Sequence, residues 1–190
     1  MVIKMKMSCL TASALAAALV AAASVLAFAR YPGLIVWAAF IGWASYDHSG
    51  ATAHAAVRSS AGLIFGTVMA WLVAIVVAAR VSPVSTTLSM AAVAGLASFL
   101  IVIASRTPLL SVVPAAFYGF ASTFAYLSHS AAAFTLDALT SISLQNAFFS
   151  VSASLLIGTA IGLVHGRLAG ALAGDGHASL SLSNAHAKRG

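Results

Sequence analysis

Apolar residues run through this chain in long unbroken blocks rather than in the short amphipathic stripes of a soluble domain. Four blocks, Ser8–Phe28, Ala61–Ala79, Ser85–Ser105 and Ala147–Val164, contain no charged residue. A helix rising 1.5 Å per residue needs roughly 20 such residues to cross about 30 Å of hydrocarbon. Each block therefore predicts a transmembrane helix. Two shorter blocks lie between them: Gly33–Tyr46, preceded by Pro32, and Leu109–Leu127, interrupted by Pro114. With these included, the pattern predicts an all-α, polytopic membrane protein of about six transmembrane helices.

The two shorter blocks carry the same motif, AAFIGWAS at Ala38–Ser45 and AAFYGFAS at Ala115–Ser122. Each is preceded by an R-x-P (Arg30 to Pro32, Arg106 to Pro108) and followed by a second echo, SAGLIFGT at Ser60–Thr67 and SASLLIGT at Ser152–Thr159. Three landmarks in one order indicate an internal duplication. It divides the chain into membrane repeats 1–80 and 81–168, and leaves 169–190 as a disordered cytoplasmic tail rich in Gly, Ala and Ser. The second copy has a longer connection, Ser128–Asn146, where Phe134, Leu136, Leu139, Ile142 and Leu144 suggest an interfacial helix.

Charge placement orients the segments. With a cytoplasmic N-terminus, Lys4, Lys6, Arg58, Arg106, Arg167, Lys188 and Arg189 fall on the inner side and only Arg30 and Arg80 on the outer. That asymmetry is the positive-inside pattern and predicts cytoplasmic termini. Three crossings per repeat is an odd number, so the second half enters from the opposite face and the repeats are inverted. A secretory signal peptide is the competing reading of the N-terminal block, but its apolar run exceeds the usual core of about 7 to 15 residues. Cleavage there would also leave the duplication lopsided.

Composition removes whole classes of function. The chain is 62% hydrophobic and 6% charged, with no Glu, whereas a soluble surface needs charge at roughly a quarter of its positions. The basic pI of about 10.1 follows from the inner-side bias; no basic stripe interleaved with aromatics points to nucleic acid. Cys9 is the only cysteine, so neither a disulfide framework nor a metal cluster is expected. No HExxH, GxSxG, Walker or CxxC sequence is present, and no enzyme activity, cofactor or metal is predicted.

The candidate site is the repeated segment itself. Interrupted hydrophobic segments at matching places of two halves point to a transport pathway. Phe40, Trp43, Phe117 and Phe120 would set its width and stack on a solute. Gly42 and Gly119 would permit close approach, and Ser45, Ser122 and Thr123 would offer hydrogen bonds. The alternative is that the aromatics only pack or form an interfacial belt. Asp47 with His48, and His129 with Asp137, are candidate vestibule groups or solvated interface residues. His165 beside Arg167 reads as a helix-end pair. Gly62 and Gly66, and Gly158, Gly162 and Gly166, have the spacing of close helix packing.

The stretch from Pro32 to Tyr126, with GLIVWAAFIGWASY, SSAGLIFGTVMAW and SVVPAAFYGFASTFAY, resembles the YcdZ-like family of bacterial inner-membrane proteins catalogued as domain of unknown function 1097. The resemblance implies an integral inner-membrane protein and carries no activity and no catalytic residues. This chain departs from it in its longer tail, the Asp47-His48 pair and the lack of Glu.

The expected function is a passive channel or facilitator for a small neutral solute, urea or a related amide. The missing mid-membrane charges argue against coupled pumping. A non-transporting subunit that assembles with a partner, and a secondary transporter, are the alternatives. Besides the lipid bilayer and the solute, the expected partner is a second copy of the chain: a homo-oligomer, a trimer by analogy with other small-solute channels.

Overall fold

The computed structural model describes residues 7–80, 85–129 and 131–173. These form α1 (Cys9–Phe28), α2 (Val36–His48), α3 (Ala53–Ala78), α4 (Thr86–Ala104), α5 (Val113–His129), α6 (Leu136–Thr140) and α7 (Ala147–Ala173), with two single 3-10 turns and no strand among the described residues. Several helix starts are written locally. The Ser8, Thr52, Ser85 and Thr135 side chains accept hydrogen bonds from the backbone N–H of Thr11, Ala55, Leu88 and Ala138, satisfying donors that a helix leaves free in its first turn. Gly50, with φ +105°, turns the chain from α2 into α3.

Four helices, α1, α3, α4 and α7, are long and apolar enough to cross a membrane. The helices carrying the repeated motif are shorter: α2 has 13 residues and α5 has 17, about 20 and 26 Å at 1.5 Å per residue. α3 and α7, with 26 and 27 residues, form the centre. α2 lies along α7 and α5 along α3, and likewise α1 packs on α7 and α4 on α3. Where α2, α3, α5 and α7 converge, Ala38, Leu63, Ala115, Val151 and Leu155 build a dry core. α1 buries only a stripe of Ala12, Ala16, Val20 and Ser24, the one-turn spacing of a single helical face.

Two sequence expectations change. The connection before α7 holds a 3-10 turn, Ala131–Ala133, and the five-residue α6 where an interfacial helix is expected. It is held by side-chain bonds: Leu139 is fully buried, its carbonyl accepts from Trp71 Nε1 at 2.9 Å and Asn146 Nδ2 at 2.7 Å. α7 continues to Ala173, burying Ala169 and Ala173, so residues 169–173 belong to the helix and not to a tail. No Pro or β-branched residue interrupts Arg167–Ala173, and the alanines there are strong helix formers. The remainder of the expected tail, 174–190, and Lys4, Lys6, Lys188 and Arg189 lie outside the described residues.

Candidate functional site

The repeated motifs build matching backbone contacts. A Cβ added to Gly42 of α2 would lie 2.1 Å from the Leu155 carbonyl oxygen of α7, and one on Gly119 of α5 would lie 2.0 Å from the Leu63 oxygen of α3. In return, a Cβ on Gly158 would meet the Ala39 oxygen at 1.9 Å, and one on Gly66 the Ala116 oxygen at 1.7 Å. Such spacing is open only to glycine, whose Cα hydrogen is then aimed at the carbonyl across the helix pair, a weak hydrogen bond that recurs where helices touch closely. Residues 39 and 42 correspond to 116 and 119 in the repeat, and 63 and 66 to 155 and 158. Each short helix is therefore clasped to the long helix of the other half in one register.

These contacts absorb much of the predicted site. Gly42 and Gly119 face helix backbone and not each other. Ser45 Oγ bonds Ser59 Oγ at 2.7 Å, and Thr123 Oγ1 donates to the Gly119 carbonyl at 2.9 Å. Of the three predicted hydroxyls, Ser122 Oγ alone is buried without a partner. Phe40, Trp43, Phe117 and Phe120 are half-buried and do not converge. Phe40 and Trp43 sit together on α2 with ring centroids 6.4 Å apart, whereas Phe120 pairs with Phe124 at 5.1 Å. α2 and α5 instead contribute Ala38 and Ala115 to the shared core, with Ile41 and Tyr118 packed against it.

Trp43 leads to the polar group of the structure. Its ring lies against His165 of α7, centroids 4.9 Å apart and tilted by 52°, and it passes over Gly162, where Tyr46 also rests. His165 Nε2 is 3.3 Å from the Ser13 carbonyl oxygen and 3.4 Å from Ser13 Oγ on α1. Asp47 lies one turn beyond Trp43, hence on the same side of α2, and is exposed. Trp43 Nε1 is buried without a hydrogen bond of good geometry, and the Asp47 carboxylate is the acceptor within its reach. Three helices thus bring an indole, an imidazole, a carboxylate and a hydroxyl to one end of the molecule. Together they offer hydrogen-bond donors and acceptors. Among the described residues, no three His, Cys, Asp or Glu side chains are grouped to hold a metal ion.

Sequence reading singled out Asp47, Trp43 and His165 separately and missed Ser13. Expecting the helix to end at Val164 made His165 a cap residue. With α7 running on to Ala173, its side chain is held between α1 and α2 instead. At the corresponding place of the other copy, Phe120, Phe124 and Val73 replace Trp43, Asp47 and His165, and they pack with Met69, Met90 and Val77 into an entirely apolar cluster.

An all-helical chain with four helices of membrane-crossing length and composition, almost no acidic residue and an apolar exterior is an integral membrane protein. Its sequence from 14 to 170 matches the family described as "Protein of unknown function (DUF1097)", and the chain belongs to that family. No curated protein and no solved structure matches it.

Proposed function

We propose that the chain is a membrane facilitator for a small polar uncharged solute, urea or a related amide, and that the Trp43–Asp47–His165–Ser13 end is where the solute is met. One observation carries this reading. Of two equivalent side-chain clusters on a duplicated scaffold, one is apolar and the other gathers polar groups, with Trp43, His165 and Ser13 half-buried and Asp47 exposed. Polar and ionisable groups at membrane depth cost free energy and mark solute or proton pathways. An amide presents a carbonyl acceptor and N–H donors, complementary to the Trp43 indole N–H and the Asp47 carboxylate, and its flat face matches an indole ring.

The scaffold supports the same reading. The reciprocal clasping of α2 on α7 and α5 on α3 is what two inverted repeats with six crossings would produce. Two shortened helices at the junction, α2 of 13 residues and α5 of 17, resemble the short segments of substrate pathways in transporters. The orientation that belongs to this reading has both termini cytoplasmic in a bacterial inner membrane. Native Cys9 at the start of α1 should then resist an impermeant maleimide in intact cells, while a cysteine at Arg80 in a Cys9→Ser chain should react. Assembly as a homo-oligomer, a trimer by analogy, also belongs to it and is read by native mass spectrometry from mild detergent.

Proteoliposomes test the function. Swelling with urea, acetamide or formamide gradients should be faster than in empty liposomes and should fall in Trp43→Ala. Equal rates with and without protein for every solute tried would end the proposal. Two ionisable side chains at this end, Asp47 and His165, favour a coupled carrier as the second reading. Uphill uptake that collapses with an uncoupler would select it.

A further inference from the structure

We propose that Arg58 is the centre of a binding site for a phosphate oxyanion, supplied by an anionic phospholipid, where the starts of α3 and α5 lie side by side. Such a site stands whether or not a solute crosses. A Cβ added to Gly62 of α3 would meet Ala115, one on Gly66 would meet Ala116, and one on Gly119 would meet Leu63 and Thr67. Residue numbers rise together along both helices, so α3 and α5 are parallel and their first turns are neighbours. Arg58 stands one turn before Gly62 on the same face of α3 and reaches the segment leading into α5. Its Nη2 donates to Ser111 Oγ, whose own hydroxyl donates to the Pro108 carbonyl at 2.9 Å.

Positive charge accumulates at this place. Each helix start carries about half a positive elementary charge, Arg58 adds a whole one, and Arg106 and His54 are exposed at the same end. Among the described residues no carboxylate is placed to balance them. The acids of the chain are Asp47, Asp137 and Asp175. Asp47 is two residues from Ser45, which faces α3 through Ser59, and so points away from α3. Asp137 stands beyond the opposite end of α5, and Asp175 lies outside the described residues. Arg58 Nε is buried without a hydrogen-bond partner, and a desolvated cationic donor is costly unless an anion pairs with it. The side chain as a whole is only half-buried, so an anion can approach it.

The other copy shows that the fold does not require an arginine here. By the repeat, Arg58 corresponds to Ser150 and Ser111 to Leu34. There Ser150 Oγ donates to the Gly33 carbonyl, and the Ile35 N–H donates to Ser154 Oγ at 2.9 Å. Neutral groups close that end and satisfy one another. A guanidinium at the matching place brings instead a planar fork of N–H donors that fits two oxygens of a phosphate. The neighbours indicate the source of that phosphate. Val57 beside Arg58 is 58% exposed and Leu109, in the turn before Ser111, is 51% exposed. Apolar side chains flanking a cation at a helix end suit a ligand that carries both a phosphate and acyl chains.

Native mass spectrometry of the full chain tests it. Protein purified in mild detergent and offered an equimolar mixture of phosphatidylglycerol and phosphatidylcholine should retain the anionic lipid selectively. Arg58→Gln should cut that retention roughly tenfold, the worth of a hydrogen bond to a charged group, whereas Arg106→Gln, on the exposed turn, should keep most of it. If Arg58→Gln does not fold, Ser111→Ala takes its place, since it removes the hydroxyl that holds the guanidinium and should lower retention several-fold. Equal retention of both lipids by the wild-type chain would overturn the proposal. So would unchanged retention in Arg58→Gln or, where that variant does not fold, in Ser111→Ala. Inorganic phosphate distinguishes the source: added alone, it should neither displace the lipid nor raise the melting temperature. A rise that Arg58→Gln abolishes, with no lipid retained, would overturn the lipid assignment in favour of a free anion.

Discussion

At equivalent places of the two copies, one pocket holds His165 against Trp43 and the other holds Val73 near Phe120. Both stand on the same support, a short helix clasped to a long one through glycine and carbonyl. The glycine contacts are alike because a backbone approach this close tolerates no side chain in either copy. The pockets beside them differ because side chains outside the contact are free to diverge. One end keeps an apolar lock between α3, α4 and α5. The other holds polar side chains between α1, α2 and α7, the kind of group that costs free energy at membrane depth.

The largest effects should strike the shared support. Gly66→Ala and Gly158→Ala each place a methyl group against backbone oxygen, at 1.7 and 1.9 Å, where neither side is a flexible chain end. Overpacking usually costs about 1 to 3 kcal/mol, and here the helices must separate, so both variants should lose folded yield and thermal stability to the same degree. A strong loss in one and none in the other would break the equivalence of the halves.

Next come the two pockets. Phe120→Ala removes contacts worth about 3 to 5 kcal/mol in soluble cores and less within lipid; stability should drop while solute flux per folded protein stays constant. Trp43→Ala should change flux. If Phe120→Ala altered flux and Trp43→Ala did not, the roles assigned to the two ends would be reversed.

Smaller effects separate the serines. Ser45→Ala leaves Ser59 Oγ without its 2.7 Å partner and should cost about 0.5 to 1.5 kcal/mol. Ser122→Ala removes a buried hydroxyl that has no partner, so it should be neutral or slightly stabilising. Unfolding in detergent measures both. A small change of opposite sign to Ser45→Ala belongs to Gly95→Ala and Gly166→Ala, where nothing lies within 4 Å of an added Cβ. Better helix propensity should stabilise each by roughly 0.5 to 1 kcal/mol. A marked loss at either would reveal a contact with another copy that a single chain does not contain.

Much of this architecture was legible before any coordinates. Long charge-free blocks had to become helices, because a backbone in hydrocarbon must satisfy its own hydrogen bonds. The duplicated motifs aligned Gly42 with Gly119 and Gly66 with Gly158, and their spacing marked close packing. Periodicity assigns a residue to a face of its own helix but is silent about what lies opposite. Only the tertiary arrangement turned Gly42 and Gly119 toward α7 and α3 rather than toward each other, parted the four aromatics, and filled the centre with Ala38, Leu63 and Leu155. It also joined Ser13 to His165 across 152 residues. A contact of that kind depends on the relative depth and rotation of two helices at once, quantities that no single segment of sequence contains.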